Sequence, residues 1–140
     1  MWRDDALLLD ILLAARKLVK FTAGVTWEGF LQNEVLQHAV MVPIEIIGKA
    51  ARLISPEVKS AHPEVPWQQL TSMRNRLIHE YFRVNLMDVW RTIQEDIPDL
   101  TRLIEPLVPK DSGETERSRG PLLNNGSGPS TGHGPAARRD

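Results

Sequence analysis

Apolar residues recur at three- and four-residue spacing along most of the first 108 positions, and no segment alternates strictly between apolar and polar. That period puts apolar side chains on one face of a helix and argues against sheet. From residue 4 to 22, Leu8, Ile11, Leu12, Ala15, Leu18 and Val19 make one stripe, with Asp4, Asp5, Arg16, Lys17 and Lys20 mostly opposite. The acids lie at the start and the bases toward the end, the order the helix dipole favours. Asp10 interrupts the run and is expected at the solvent edge of the stripe. Gly24 is a C-terminal stop, and Thr26 opens a short turn over Trp27 to Leu31.

A long helix is predicted from Asn33 to about Ile54, with Leu36, Ala39, Val40, Pro43, Ile44, Ile47, Ala50, Ala51 and Ile54 as its stripe. Pro43 removes a backbone donor inside it and predicts a kink. Ile44, Ile46 and Ile47 make the next turn apolar on more than one side, which suits a helix between neighbours or in a dimer. Glu45 stands among those isoleucines, either as a rim carboxylate or beside a functional site. Ser55-Pro56-Glu57 is a helix-start signature, and that helix ends near His62-Pro63. Pro66-Trp67 leads into a further helix in which Leu70, Met73, Leu77 and Ile78 are expected to be buried, with Arg74, Arg76 and Glu80 outward. Asn85 and Asp88 resemble a capping box before a last helix bearing Val89, Trp90, Ile93, Ile97, Leu100, Leu103, Ile104 and Leu107, with a kink expected at Pro98. The pattern predicts an all-α fold, a small up-down bundle of three principal helices and two or three short ones.

After residue 108 the pattern stops. Residues 109–140 hold six of the nine glycines and four of the ten prolines, with few apolar side chains beyond Leu122 and Leu123. They read as a disordered Gly/Pro/Ser-rich tail, so residues 1–108 are expected to form the domain. The chain has no cysteine, which excludes disulfides and thiolate chemistry. The longest apolar run is too short to span a bilayer, and Asp4 and Asp5 stand where a signal peptide would be basic, so a cytoplasmic protein is expected. Formal charge is −1 overall. The tail carries five basic and four acidic groups, leaving −2 on the body, which argues against a broad basic groove for nucleic acid.

His38, His62, His79 and His133 show no metal-ligand spacing, no glycine-rich phosphate loop occurs, and Gly24, Gly29 and Gly48 stand alone. One stretch remains: Arg74-Asn75-Arg76-Leu77-Ile78-His79-Glu80-Tyr81. Histidine exchanges protons near neutrality, arginine presents a planar fork that matches phosphate oxygens, and tyrosine adds a hydroxyl. These suffice for metal-free phosphodiester cleavage, although Arg76 with Glu80 is also an ordinary surface pair at i and i+4. At about 100° per residue, Arg74 and His79 lie roughly 140° apart on a straight helix. Convergence on one point requires a bend or end of the helix, a curled arginine stem, or a second protomer.

Within its flanks, from Ser72 to Phe82, this octet resembles the Arg-x4-His-x-Tyr motif of the HepT family of HEPN-domain toxins. Leu8 to Leu12, Pro43-Ile44-Glu45-Ile46-Ile47-Gly48-Lys49-Ala50-Ala51, Pro66-Trp67 and Val84-Asn85-Leu86 before Val89-Trp90 are similar to further family blocks, over roughly residues 3–108. The resemblance implies a HEPN-like all-α homodimer with the motif in a cleft between protomers. It implies a metal-independent endoribonuclease without a cofactor, the toxin of a type VII-like toxin–antitoxin pair. Arg74 and His79 would be the catalytic pair, Asn75 and Arg76 would support them or contact phosphate, and Glu45 would stand behind them. The implied partners are RNA and an MNT-type nucleotidyltransferase antitoxin that attaches AMP to Tyr81. The alternative is a catalytically weak helical dimer that serves as such an enzyme's partner or substrate. The chain departs from the family at Lys49, where members commonly carry an acid.

Overall fold

Four helices begin at a residue whose side-chain oxygen accepts an orphaned backbone N–H of the first turn. Thr26 accepts from Gly29 at 3.0 Å, Asn33 from Leu36 at 3.0 Å, Ser55 from Val58 at 3.2 Å and Asn85 from Asp88 at 3.0 Å. Each leaves its own backbone extended and satisfies a donor that the helix cannot. In this computed structural model, which describes residues 2–78 and 85–110, these caps open α2 (Trp27–Leu31), α3 (Glu34–Leu53), α4 (Pro56–Ala61) and α6 (Leu86–Arg91). The other helices are α1 (Trp2–Thr22), α5 (Trp67–Ile78) and α7 (Ile97–Ile104). Gly24, with φ +75°, breaks the chain after α1, a conformation that suits glycine. No strand occurs among the described residues.

The described elements belong to one compact unit, Met1–Val108. Within it α3 packs against both α1 and α5, and α7 packs against α1. The core is the sum of the inward stripes: Ile11, Ala15 and Leu18 of α1, Val40, Ile44, Ile47 and Ala51 of α3, Leu77 of α5, and Ile97 and Ile104 of α7 are essentially sealed from solvent. Phe30 is fully buried and stacks obliquely on Trp90, ring centroids 5.1 Å apart, with Trp27 beside both, so α2 is fastened to α6. Trp67 opens α5 by donating its indole N–H to the His62 carbonyl at 2.9 Å. The 12-residue length of α5 adds a fourth substantial helix to the expected three.

Two proline expectations resolve differently. α3 runs through Pro43, which is buried, as one continuous helix. At Pro98 the change is of register: residues Thr92–Asp96 form a π turn in which the Ile97 N–H reaches back five residues to the Thr92 carbonyl. α6, this turn and α7 follow one another directly, and Pro98 sits in the first turn of α7, where its missing donor costs least. A 3₁₀ turn, Glu105–Leu107, ends the series. Among the described residues no helix is long and apolar enough to cross a membrane. The expected tail lies outside the described residues beyond Lys110.

Asp4 departs from its expected place on the polar side of α1. It is buried, 4% exposed, and accepts from the Ser55 backbone N–H at 2.9 Å and the Ser55 hydroxyl at 2.7 Å. Ser55 in turn caps α4, so one carboxylate ties the start of α1 to the α3–α4 corner. Val19, expected in the stripe, is 45% exposed, while Asp10 is exposed as expected. Burial pushes the Asp4 carboxyl up, but the two Ser55 hydrogen bonds and the Arg3 charge outweigh it and hold the pKa below its ordinary 3.8. A carboxyl lowered by folding stabilises the fold fully above the unfolded value and ceases to as pH falls through the folded one. In urea titrations, Asp4→Ala should cost about 2–3 kcal/mol at neutral pH, the scale of charged hydrogen bonds left unmade. The acid loss of stability below about pH 4 should be weaker in Asp4→Asn than in the wild type.

Candidate active site

Leu70, Met73 and Leu77 are buried and turn α5 inward at spacings of three and four, as the pattern requires. The same rotation sets Arg74 at the edge of the α3 contact, half-buried, and leaves Asn75 and Arg76 exposed. The three polar side chains therefore serve different surroundings. Arg74 leans on α3, where its Nη2 lies 3.4 Å from Glu45 Oε2. Its Nε is sealed from solvent and has no hydrogen-bond partner among the described residues. Glu45 is thus the acid of α3 that meets the guanidinium, and its place among isoleucines is explained by that pairing.

Arg76 turns the other way. Its Nε stands 3.3 Å from Asp88 Oδ2 of α6, and its Nη2 donates to the Thr92 hydroxyl at 3.4 Å. Thr92 is buried at the start of the π turn, so this arginine joins α5 to the register change. Beyond it, a groove of ≈ 460 Å³ between α5 and α7 is lined by Gln69, Ser72 and Arg76 on one wall and Asp96 and Asp99 on the other, with Glu64 at its end. Three acids around one arginine repel a phosphate. A second surface cavity at α5, lined by Lys59, Val65 and Trp67 among others, does not include Arg74 either. Among the described residues the one acid in ion-pair distance of Arg74 is Glu45.

His79 and Tyr81, and Glu80 with them, lie outside the described residues. The structure accordingly brings Arg74 to Glu45 and Arg76 to Asp88, and leaves Asn75 exposed at the surface of α5. Among the described residues no three His, Asp or Glu side chains gather closely enough to hold a metal ion. Thr92 was not singled out from the sequence, and Asp88 was read there as the capping-box partner of Asn85, not as a partner of Arg76.

A model of the family described as Ribonuclease HepT-like matches residues 11–107. The chain is 41% identical over 98 residues to the Probable ribonuclease HepT of Thermococcus cleftensis, covering 70% of this chain and 89% of that one. It is 35% identical over 100 residues to the protein named "Putative RNase MJ1380" of Methanocaldococcus jannaschii, covering 71% and 92%. No solved structure matches the chain.

The Arg76–Asp88 pair is half in solvent, so its energetic weight should be small. Asp88→Ala is expected to cost less than about 1 kcal/mol in chemical denaturation. A loss of several kcal/mol would mean that the junction of α5 with the π turn depends on it.

Proposed function

Because the chain belongs to the HepT-like ribonuclease family, we propose that its helical domain, residues 1–108, is a metal-independent endoribonuclease acting in the cytoplasm, with Arg74 and His79 as its reacting pair. His79 takes the proton of an RNA 2′-hydroxyl, and the 2′-oxygen attacks the adjacent phosphorus. The bond from phosphorus to the 5′-oxygen breaks, and the same imidazole, or its partner's, returns the proton to that oxygen. One strand ends in a 2′,3′-cyclic phosphate and the other in a 5′-hydroxyl. Arg74 holds the phosphate and stabilises its added charge in the transition state. Asn75, exposed one position on, orients the imidazole or the phosphate. Arg76, held by Asp88, supports the helix end from the other side.

The observation that carries the reading is the position of Arg74. Its stem lies between two helices, with Nε sealed and Nη2 beside Glu45, yet the side chain is 42% exposed. A phosphate-binding arginine needs that combination of a held stem and an accessible fork. A second copy completes the cleft in this reading. Val35, Ala39, Val42, Ile46, Lys49 and Leu53 follow one another on α3 at alternating four- and three-residue steps, the spacing of a helix–helix seam. Val35, Val42 and Ile46 are 80%, 59% and 41% exposed, on the side of α3 away from the core. An exposed apolar seam of that kind suits a like helix from another protomer.

We further propose that the protein is a toxin restrained by a small nucleotidyltransferase, which transfers AMP from ATP to the Tyr81 hydroxyl with release of pyrophosphate. The added bulk and negative charge beside Arg74 and Arg76 would occupy the phosphate site.

Purified protein in excess chelator should cleave single-stranded RNA to products with 2′,3′-cyclic ends, and Arg74→Ala and His79→Ala should each lower kcat/KM at least a hundredfold. Cleavage that depends on added metal, or that survives both substitutions, would refute the mechanism. With the partner and ATP, intact mass should rise by AMP steps and cleavage should stop. The same gain in Tyr81→Phe would exclude Tyr81 as acceptor, and AMP transfer to a protein that never cleaves RNA would favour a substrate role over a nuclease.

A further inference from the structure

Gly48 stands in the interior of α3, where glycine is a poor helix former. Its backbone does not require it: among the described residues the one glycine with positive φ is Gly24. The requirement comes from the neighbour. A Cβ placed on Gly48 would lie 2.6 Å from Arg74 Cβ, 3.3 Å from Arg74 Cδ and 3.4 Å from the Leu70 carbonyl oxygen. The first distance is far inside van der Waals contact. Arg74 Cβ is fixed by its own backbone, so no rotamer change relieves it; α3 and α5 would have to part.

The arginine's stem therefore lies directly across bare α3 backbone. Cβ and Cδ rest against the glycine, Nε is sealed beside it, and Nη2 reaches Glu45. Glu45 precedes Gly48 by three residues, which puts the two on adjoining turns of one helix face. One supplies a carboxylate for the head and the other supplies the absence of a side chain under the stem. The remaining guanidinium donors stay accessible.

We infer that Gly48 and Glu45 form a seat on α3 that positions Arg74 for its phosphate. Neither touches the substrate. They act by removing the freedom of a long side chain before RNA arrives, so the contact is made without ordering cost at that moment. The inference rests on the reading of Arg74 as the phosphate ligand and goes beyond it by saying what places that ligand.

The test compares wild type, Gly48→Ala, Arg74→Ala and the double variant, each checked by circular dichroism and sedimentation. Cleavage of an oligoribonucleotide gives kcat, and binding of its 2′-O-methyl form, which cannot be cleaved, is followed against salt. Gly48→Ala is expected to fold, to lose at least tenfold in kcat, and to shed the salt dependence that Arg74→Ala sheds, a slope change of about 0.7 for one single-strand phosphate contact. The double variant should bind no more weakly than Arg74→Ala. Should Gly48→Ala fail to fold, Glu45→Gln at an exposed position serves instead, with kcat lowered at least threefold. A folded Gly48→Ala with wild-type kcat and slope, an additive loss in the double variant, or an unchanged Glu45→Gln would overturn the seat. Wild-type cleavage by Arg74→Ala would instead overturn the nuclease reading on which it rests.

Discussion

α5 crosses α3 over Gly48 so closely that a Cβ there would overlap Arg74, and the rest of the arrangement depends on that crossing. That approach lets Leu70, Met73 and Leu77 sink into the core while Arg74, one step around the helix, stays on the rim. It also fixes which acid the arginine can find. Arg74 meets Glu45 because Glu45 lies one turn before the glycine; Arg76, roughly 200° further around α5, meets Asp88 and Thr92 instead. Two arginines two residues apart thus acquire separate duties from the geometry of one crossing.

α3 divides its circumference into three uses. Val40, Ile44, Ile47 and Ala51 face the core, Glu45 and Gly48 face α5, and Val35, Val42 and Ile46 face outward. At about 100° per residue these sets occupy successive arcs of the same cylinder. Glu45 and Ile46 are neighbours in sequence, so the arginine's seat and the outward seam adjoin. Anything packed along that seam lies beside Arg74. Lys49, on the same seam, is exposed and carries a positive charge there.

Much of this was legible before coordinates. Thr26, Asn33, Ser55 and Asn85 could be read as helix starts because capping is local chemistry, settled within three residues. The buried stripes followed from period alone. What escaped was set by distant partners. Asp4 reads as a dipole-favoured acid in a first turn, and nothing nearby in the chain announces Ser55, 51 positions on. Val19 holds the right angle for the stripe yet stays exposed, because periodicity gives direction and not whether a neighbour extends that far. Pro98 was recognised as a disturbance, but its accommodation by a π turn was not. Glu45 was visible as a charge among isoleucines without a stated partner. Gly48 read as an isolated glycine, since a missing side chain carries meaning only once the neighbour over it is known. His79 and Tyr81 were legible by type and spacing, and their roles rest on resemblance and proposal.

In the proposed mechanism Arg74 and His79 act in a cleft that one subunit cannot close. The most direct test is sedimentation and RNA cleavage measured together on the doubly substituted chain Val42→Glu, Ile46→Glu, whose changes lie on the exposed seam and leave the core intact. The wild type should be dimeric and active, and the variant folded, monomeric and unable to cleave. A monomeric variant that cleaves RNA at the wild-type rate would contradict that mechanism.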